Sequence, residues 1–268
     1  MADVVLGHEP AVQVPVQVID STFAGGAPAS SCASPGVRVY QTPAQAVSNG
    51  ILGVNFYPFD SGPYFSCGST GCTILTRLPL APVQNPVFLL PADYNGIILS
   101  FPSVSADGAP SLTGYLTLGI NTRSNNLAGG GISVYPAVNG TLTTVYNGSI
   151  YSNSLIDSGT NVIAVPDPAI PQCQVNGSPT GFLCPSATLS KTALNRRADG
   201  SFQPVPFQIA DAYTLNATYV VFNDLGFVSD LSSLEFIWGF PFFIGRTVYL
   251  GYAGITTSPL GTGPFWAY

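Results

Sequence analysis

The stretch Ser154-Leu155-Ile156-Asp157-Ser158-Gly159-Thr160-Asn161 carries the chain's clearest chemistry. A short apolar strand runs into an aspartate followed by Ser-Gly-Thr. That order favours a tight turn from which the carboxylate projects. Gly159 lets backbone approach closely, and the hydroxyls of Ser158 and Thr160 can hydrogen-bond the carboxylate or nearby backbone. A carboxylate so placed suits acid–base work on water when a second one faces it. Two such groups share one proton, because like charges this close cannot both ionise. The ionised member then activates a water while the protonated one polarises a carbonyl. The other Asp-Ser-Gly, Asp60-Ser61-Gly62, follows Tyr57-Pro58-Phe59 and precedes Pro63, and reads as an Asx-turn in a surface loop. Asp157 is therefore the single catalytic candidate, with Ser158, Gly159 and Thr160 shaping its turn.

Rival chemistries find little support. A Ser-His-Asp site would need His8, the only histidine, in a terminal segment that reads as solvent-exposed, and there is no Gly-x-Ser-x-Gly elbow. No glycine-rich phosphate loop is present, and no cofactor is implied. The five cysteines stand at 32, 67, 72, 173 and 184. Without a CxxC spacing, no metal site is expected. Cys67 and Cys72 bracket a Gly-Ser-Thr-Gly turn, and Cys173 and Cys184 bracket a Gly/Pro-containing loop. Both pairs read as local disulfides, the alternative being buried free thiols. Cys32 is left over, which points to a partner outside the chain, a second chain or a homo-oligomer. Asn139-Gly140-Thr141, Asn147-Gly148-Ser149, Asn176-Gly177-Ser178 and Asn216-Ala217-Thr218 match the glycosylation sequon, but read as polar loops. Arg246, beside Trp238-Gly239, reads as satisfying backbone carbonyls or a surface acid rather than as a site residue.

The elements that must position Asp157 read mostly as strands. Thr141–Tyr146 and Ser149–Ile156 flank Asn147-Gly148, a type I′ hairpin signal, so the second arm of that hairpin delivers the aspartate. Val12–Val18 alternates at period two, with Pro15 placing it at an edge or bulge. Further strands are expected at 96–101, 112–120, 131–135, 205–210, 218–222 and 246–252, and short helices near 42–48, 186–195 and 228–234. Gly129-Gly130-Gly131 reads as a loop between two lobes, 1–128 and 129–268. Of 268 residues only 7% are charged, and the net charge is −6 with a single lysine, Lys191. Such a chain lacks the cationic footprint that nucleic-acid binding requires. No transmembrane span is expected, because no apolar run is long enough. Paired cysteines point to a secreted, periplasmic or cell-surface setting. Residues 1–30 show no signal-peptide pattern, so the natural N-terminus is expected upstream.

The Asp-Ser-Gly strand end and Ile237-Trp238-Gly239, a hydrophobic-hydrophobic-Gly segment 82 positions after Asp157, resemble the second lobe of pepsin-like aspartic proteases. Asn49-Gly50-Ile51-Leu52-Gly53 resembles the corresponding first-lobe segment, and Ser111–Ile120 the strand that closes that lobe. Gln84-Asn85-Pro86-Val87, Gly239–Arg246 and Gly261-Thr262-Gly263-Pro264-Phe265 extend a resemblance across about residues 3–268 to an uncharacterised bacterial family of exported proteins related to those proteases. The resemblance implies an all-β, pepsin-like bilobal fold with an incomplete first lobe at 1–128 and a second lobe at 129–268 carrying Asp157. The same spacing counted back from Gly53 puts the partner aspartate about 30 residues upstream of Met1. The expected activity is hydrolysis of a peptide or protein substrate by a completed site, with this chain alone inactive. A non-catalytic extracellular binding or assembly module is the alternative, resting on the low charge and on the aromatic C-terminus Phe265-Trp266-Ala267-Tyr268 as a docking surface.

Overall fold

The computed structural model describes residues 1–20, 42–46, 50, 52–68, 71–77, 79–229 and 235–268. Cys32, the end of the helix expected at 42–48 and most of that expected at 228–234 lie outside the described residues. The chain divides into two compact units, Met1–Tyr94 and Asn95–Tyr268. The boundary expected at 128/129 falls inside the second unit, where the Gly129 N–H donates to the Tyr249 hydroxyl at 3.3 Å.

The described residues of the first unit form two hairpins. Strands β1 (Ala2–Leu6) and β2 (Glu9–Val14) turn at Gly7-His8, and His8 is exposed. The strand expected over 12–18 stops at Val14, because Pro15 has no N–H to continue the ladder. A one-turn helix α1 (Pro43–Ala46) precedes β3 (Phe65–Gly68) and β4 (Gly71–Ile74), which face each other at Cys67 and Cys72. These cysteines form a disulfide with an S–S distance of 2.07 Å. A 3₁₀ turn, Pro86–Leu89, is capped by the Asn85 side chain, which accepts from the Val87 N–H at 3.0 Å.

The second unit is built from strands β5 (Gly96–Ser100), β6 (Tyr115–Leu118), β7 (Val134–Pro136), β8 (Leu142–Tyr146), β9 (Ser149–Ile156) and β10 (Ile163–Val165). They are followed by β11 (Gln172–Val175), β12 (Ser178–Leu183), β13 (Leu189–Arg196), β14 (Phe202–Ile209), β15 (Gly226–Val228) and β16 (Ile237–Trp238). The short helix α2 (Phe240–Phe243) leads to β17 (Thr247–Gly251), β18 (Thr256–Thr257), β19 (Gly261–Thr262) and β20 (Phe265–Ala267). Nine strands form one sheet in the order β11-β12-β15-β10-β16-β9-β8-β13-β14, and five form another in the order β6-β5-β17-β20-β7. The described residues are therefore nearly all β, as expected.

Local signals account for the turns. Asn139, Asn147 and Asn176 have φ of 53°, 49° and 51°, each followed by a positive-φ glycine. The Asn-Gly pairs at 147 and 176 close the β8–β9 and β11–β12 hairpins, and that at 139 lies within the Val138–Thr141 bridge. Cys173 and Cys184 join across the base of β11–β12 with an S–S distance of 1.99 Å.

Three expectations are corrected. Residues 189–196 form a strand rather than part of a helix over 186–195. They pair residue for residue with β14, from Leu189↔Ile209 to Arg196↔Phe202, and Ala193 and Asn195 are buried on one face. Pairing with a committed partner strand overrides the helix propensity of Leu, Lys and Ala. The strand expected at 218–222 shrinks to a single bridge, Val221 with Ala109. The C-terminal aromatics are not a docking surface. Phe265 and Trp266 are 2% and 6% exposed, because β20 runs between β17 and β7.

The core centres on aromatic rings. Trp238, Phe236 and Phe207 pack with centroids 4.5–5.6 Å apart, and Phe242 sits 5.4 Å from Trp238. A buried polar chain runs beside them. The Trp238 indole N–H donates to Thr144 Oγ1 at 3.3 Å, the Thr144 hydroxyl to Asn195 Oδ1 at 2.7 Å, and Asn195 Nδ2 to the Tyr268 hydroxyl at 2.9 Å. Each member thereby meets a partner in a place where an unmade bond costs about 1–3 kcal/mol.

Candidate functional site

Asp157 is the first residue beyond β9. The two residues of β16 lie between β9 and β10: parallel to β9 through Leu155↔Ile237 and Ile156↔Trp238, and antiparallel to β10 through Ile163↔Trp238. The loop 157–162 therefore arches over the end of a strand that arrives from 80 residues later. Backbone bonds fix the arch on both sides. The Asp157 N–H donates to Trp238 O at 2.9 Å, and the Phe240 N–H to Thr160 O at 2.6 Å. Gly239 allows that approach, since a Cβ there would lie 2.1 Å from Val162 O and 2.4 Å from Thr160 O. Glycine is required here by close backbone packing rather than by its own φ of −77°.

The half-buried carboxylate is oriented by its own turn. Oδ1 accepts the Gly159 N–H at 2.8 Å, and Oδ2 accepts the Thr160 hydroxyl at 2.7 Å. The Thr160 N–H closes the turn onto Asp157 O at 3.2 Å. Each oxygen keeps a lone pair for water or another acid. Ser158 and Gly159 are exposed above it. Beside the arch lies an apolar groove of about 410 Å³, lined among others by Thr160, Val162, Phe182, Phe227 and Ile237.

The structure thus brings Asp157, Ser158, Gly159, Thr160 and Gly239 together. Asp60 is exposed, its Oδ1 accepting from the Gly62 N–H at 2.8 Å in an Asx-turn. In the other hydrophobic-hydrophobic-Gly segment, Leu52 is 52% exposed and a Cβ on Gly53 would meet nothing within 4 Å. The Cys173 and Cys184 sulfurs gather with the Asp211 carboxylate within 4.8 Å, but the sulfurs are bonded to each other, so no thiolate is free to ligate a metal.

Residues 1–268 match throughout the model of a family described as protein of unknown function, DUF3443. The chain belongs to this family. No curated protein and no solved structure matches it.

One polar cluster in this DUF3443 chain escaped sequence reasoning. Asp167 is buried, and its Oδ2 accepts from the Tyr146 hydroxyl at 2.7 Å and from Asn147 Nδ2 at 3.1 Å, with Lys191 Nζ at 3.4 Å. Its Oδ1 accepts the Ala169 N–H at 3.2 Å. Burial opposes ionisation, but the bonds from Tyr146, Ala169 and Asn147 and the charge of Lys191 outweigh it and hold the carboxyl below its ordinary value. Burial and the same carboxylate push the Tyr146 phenol up. The flanking Pro166 and Pro168 were the available signal for a turn at Asp167; nothing local announced Lys191 as a partner. The cluster lies at the hairpin-turn end of β8 and β9, the opposite end from Asp157.

Proposed function

We propose that Asp157 is one half of an acid–base carboxylate pair, and that the chain is a relative of pepsin-like aspartic peptidases in which it holds the second-lobe catalytic place. The observation that carries this reading is the threaded arch. A half-buried carboxylate is fixed by Gly159 and Thr160 and buttressed at Gly239 by a hydrophobic-hydrophobic-Gly strand. That scaffold holds the group rigidly while leaving lone pairs free for water. A lone carboxylate can take a proton from water but cannot donate one to the carbonyl oxygen at the same time. Peptide hydrolysis therefore requires a second aspartate, supplied by sequence upstream or by another chain. The two disulfides support a secreted, periplasmic or cell-surface setting.

The test is peptide cleavage between about pH 2 and 6, the range in which a carboxylate pair can share one proton. This chain by itself is expected to be inactive. An upstream-extended form is expected to turn over substrate and to lose that activity on Asp157→Asn. Turnover by the extended form that survives Asp157→Asn would sink the reading.

A non-catalytic extracellular assembly module is the second reading. It is favoured by β6, an edge strand of the five-stranded sheet whose Tyr115 and Leu116 are 72% and 50% exposed. An extended form that is inactive but self-associates, and loses that association on Leu116→Lys, would favour it.

A further inference from the structure

We infer that a cleft of about 550 Å³, lined by Lys191 and Thr192 of β13, Gln208 of β14, Asn223 and Arg246, binds a small hydroxylated organic anion, a carboxylate on a polyol frame such as a sugar acid. The volume suits a small-molecule site. Charge is the first argument. Among the described residues, Lys191 and Arg246 line this cleft and no acid does, in a molecule whose net charge is −6. Asp167 pairs with Lys191 from outside the lining, at 3.4 Å, and offsets part of that charge, which leaves Arg246 as the cleft's cation with no carboxylate partner among the described residues. Asp224, next to Asn223, is itself buried and lies outside the lining.

Arg246 is the second argument. Among the described residues its guanidinium hydrogen-bonds only carbonyl oxygens, Phe242 O at 2.5 Å and Pro206 O at 3.5 Å, and it rests 4.6 Å from the Phe242 ring centroid. It has no carboxylate partner among the described residues, and burial pushes its pKa down. The ring and the carbonyls clamp the planar fork and leave N–H groups for a carboxylate.

The third argument fixes the rest of the ligand. The Asn223 side-chain oxygen is buried without a hydrogen-bond donor. A buried acceptor left unmet costs about 1–3 kcal/mol, and a ligand hydroxyl would satisfy it once a turn of the amide brings that oxygen to the cleft surface. Thr192 and Gln208 add polar positions for further hydroxyls, and Pro206 between them offers an apolar surface to the carbon frame.

The test is isothermal titration of the full chain with D-glucuronate, D-glucose, acetate and inorganic phosphate. Glucuronate is expected to bind saturably and more tightly than the other three. Arg246→Gln is expected to abolish binding, and Asn223→Leu to weaken it about tenfold, the equivalent of one lost buried hydrogen bond. Lys191→Gln, which leaves the Arg246 clamp intact, should weaken glucuronate but not glucose, and thermal melts report whether each variant is folded. No saturable glucuronate binding, or binding unchanged in folded Asn223→Leu and Lys191→Gln, would overturn the proposal. Equal binding of glucose would overturn its anionic part, and equal binding of acetate or phosphate its polyol part.

Discussion

Replacing Gly239 by alanine places a methyl group where backbone already stands. The new carbon would lie 2.1 Å from Val162 O and 2.4 Å from Thr160 O, and neither oxygen belongs to a side chain that can rotate away. Relief requires β16 to withdraw from the arch. That withdrawal strains two bonds, Asp157 N–H to Trp238 O at 2.9 Å and Phe240 N–H to Thr160 O at 2.6 Å. Overpacking costs about 1–3 kcal/mol, and each backbone bond contributes about 0.5–1.5 kcal/mol. The expected loss is therefore about 2–6 kcal/mol, a large part of the roughly 5–15 kcal/mol that holds a domain together. Urea unfolding followed by tryptophan fluorescence reads it directly, since both tryptophans, Trp238 and Trp266, lie in the second unit. Gly53→Ala is the matched control: it sits in the same residue pattern with nothing within 4 Å of the added carbon, and should leave the transition unmoved. A Gly239→Ala protein within about 0.5 kcal/mol of the parent, the range of an ordinary surface substitution, would refute the idea that the arch is closed by backbone contact at this glycine.

Asp167, held below its ordinary value of 3.8, contributes stability that is present above that value and is lost as the pH falls through its folded pKa. Acid titration of the urea midpoint below about pH 4 should accordingly be shallower in Asp167→Asn than in the parent. Asp224 has the opposite sign. Its folded pKa is raised by burial, with Oδ1 unpartnered, so its favourable contribution disappears as the pH rises through that value. Asp224→Asn should raise the midpoint near pH 7 and change little near pH 3; a drop at neutral pH would count against an uncompensated charge. Removing the Cys173–Cys184 bridge by double substitution to serine opens a loop of sequence separation 11 and should cost about 3 kcal/mol by the chain-entropy estimate, read from the same urea curves.

The hairpin that delivers Asp157 was legible because its signals are local: Asn147-Gly148 sets the turn and the turn sets the register of β9. The Asp-Ser-Gly-Thr turn was legible for the same reason, each donor to the carboxylate lying within three residues of it. Gly239 emerged only through its resemblance to a known pattern, because the need for glycine there comes from carbonyls some 80 positions away. Strand β13 was misread because Leu, Lys and Ala favour helix in isolation and nothing nearby announces β14 as a partner. The C-terminal aromatics were misread because Phe and Trp serve cores and interfaces alike, and only the position of β20 decides between them. The Asn-Gly pairs at 139 and 176 did carry a turn signal, masked by their overlap with glycosylation sequons.

The threading of β16 between β9 and β10 also sets a timetable for the nascent chain. Leu155 and Ile237 are 82 positions apart, and closing a loop of that length costs about 4 kcal/mol in chain entropy before any contact repays it. While the polypeptide is being made, β8 and β9 can pair as soon as they emerge, but the strand that locks the arch does not yet exist. At about 5–20 residues per second the gap lasts roughly 4–16 seconds. Throughout that interval the Asp157 carboxylate can be turned but not held. The rigid geometry on which its chemistry would depend arrives only when Trp238 and Gly239 slide into place.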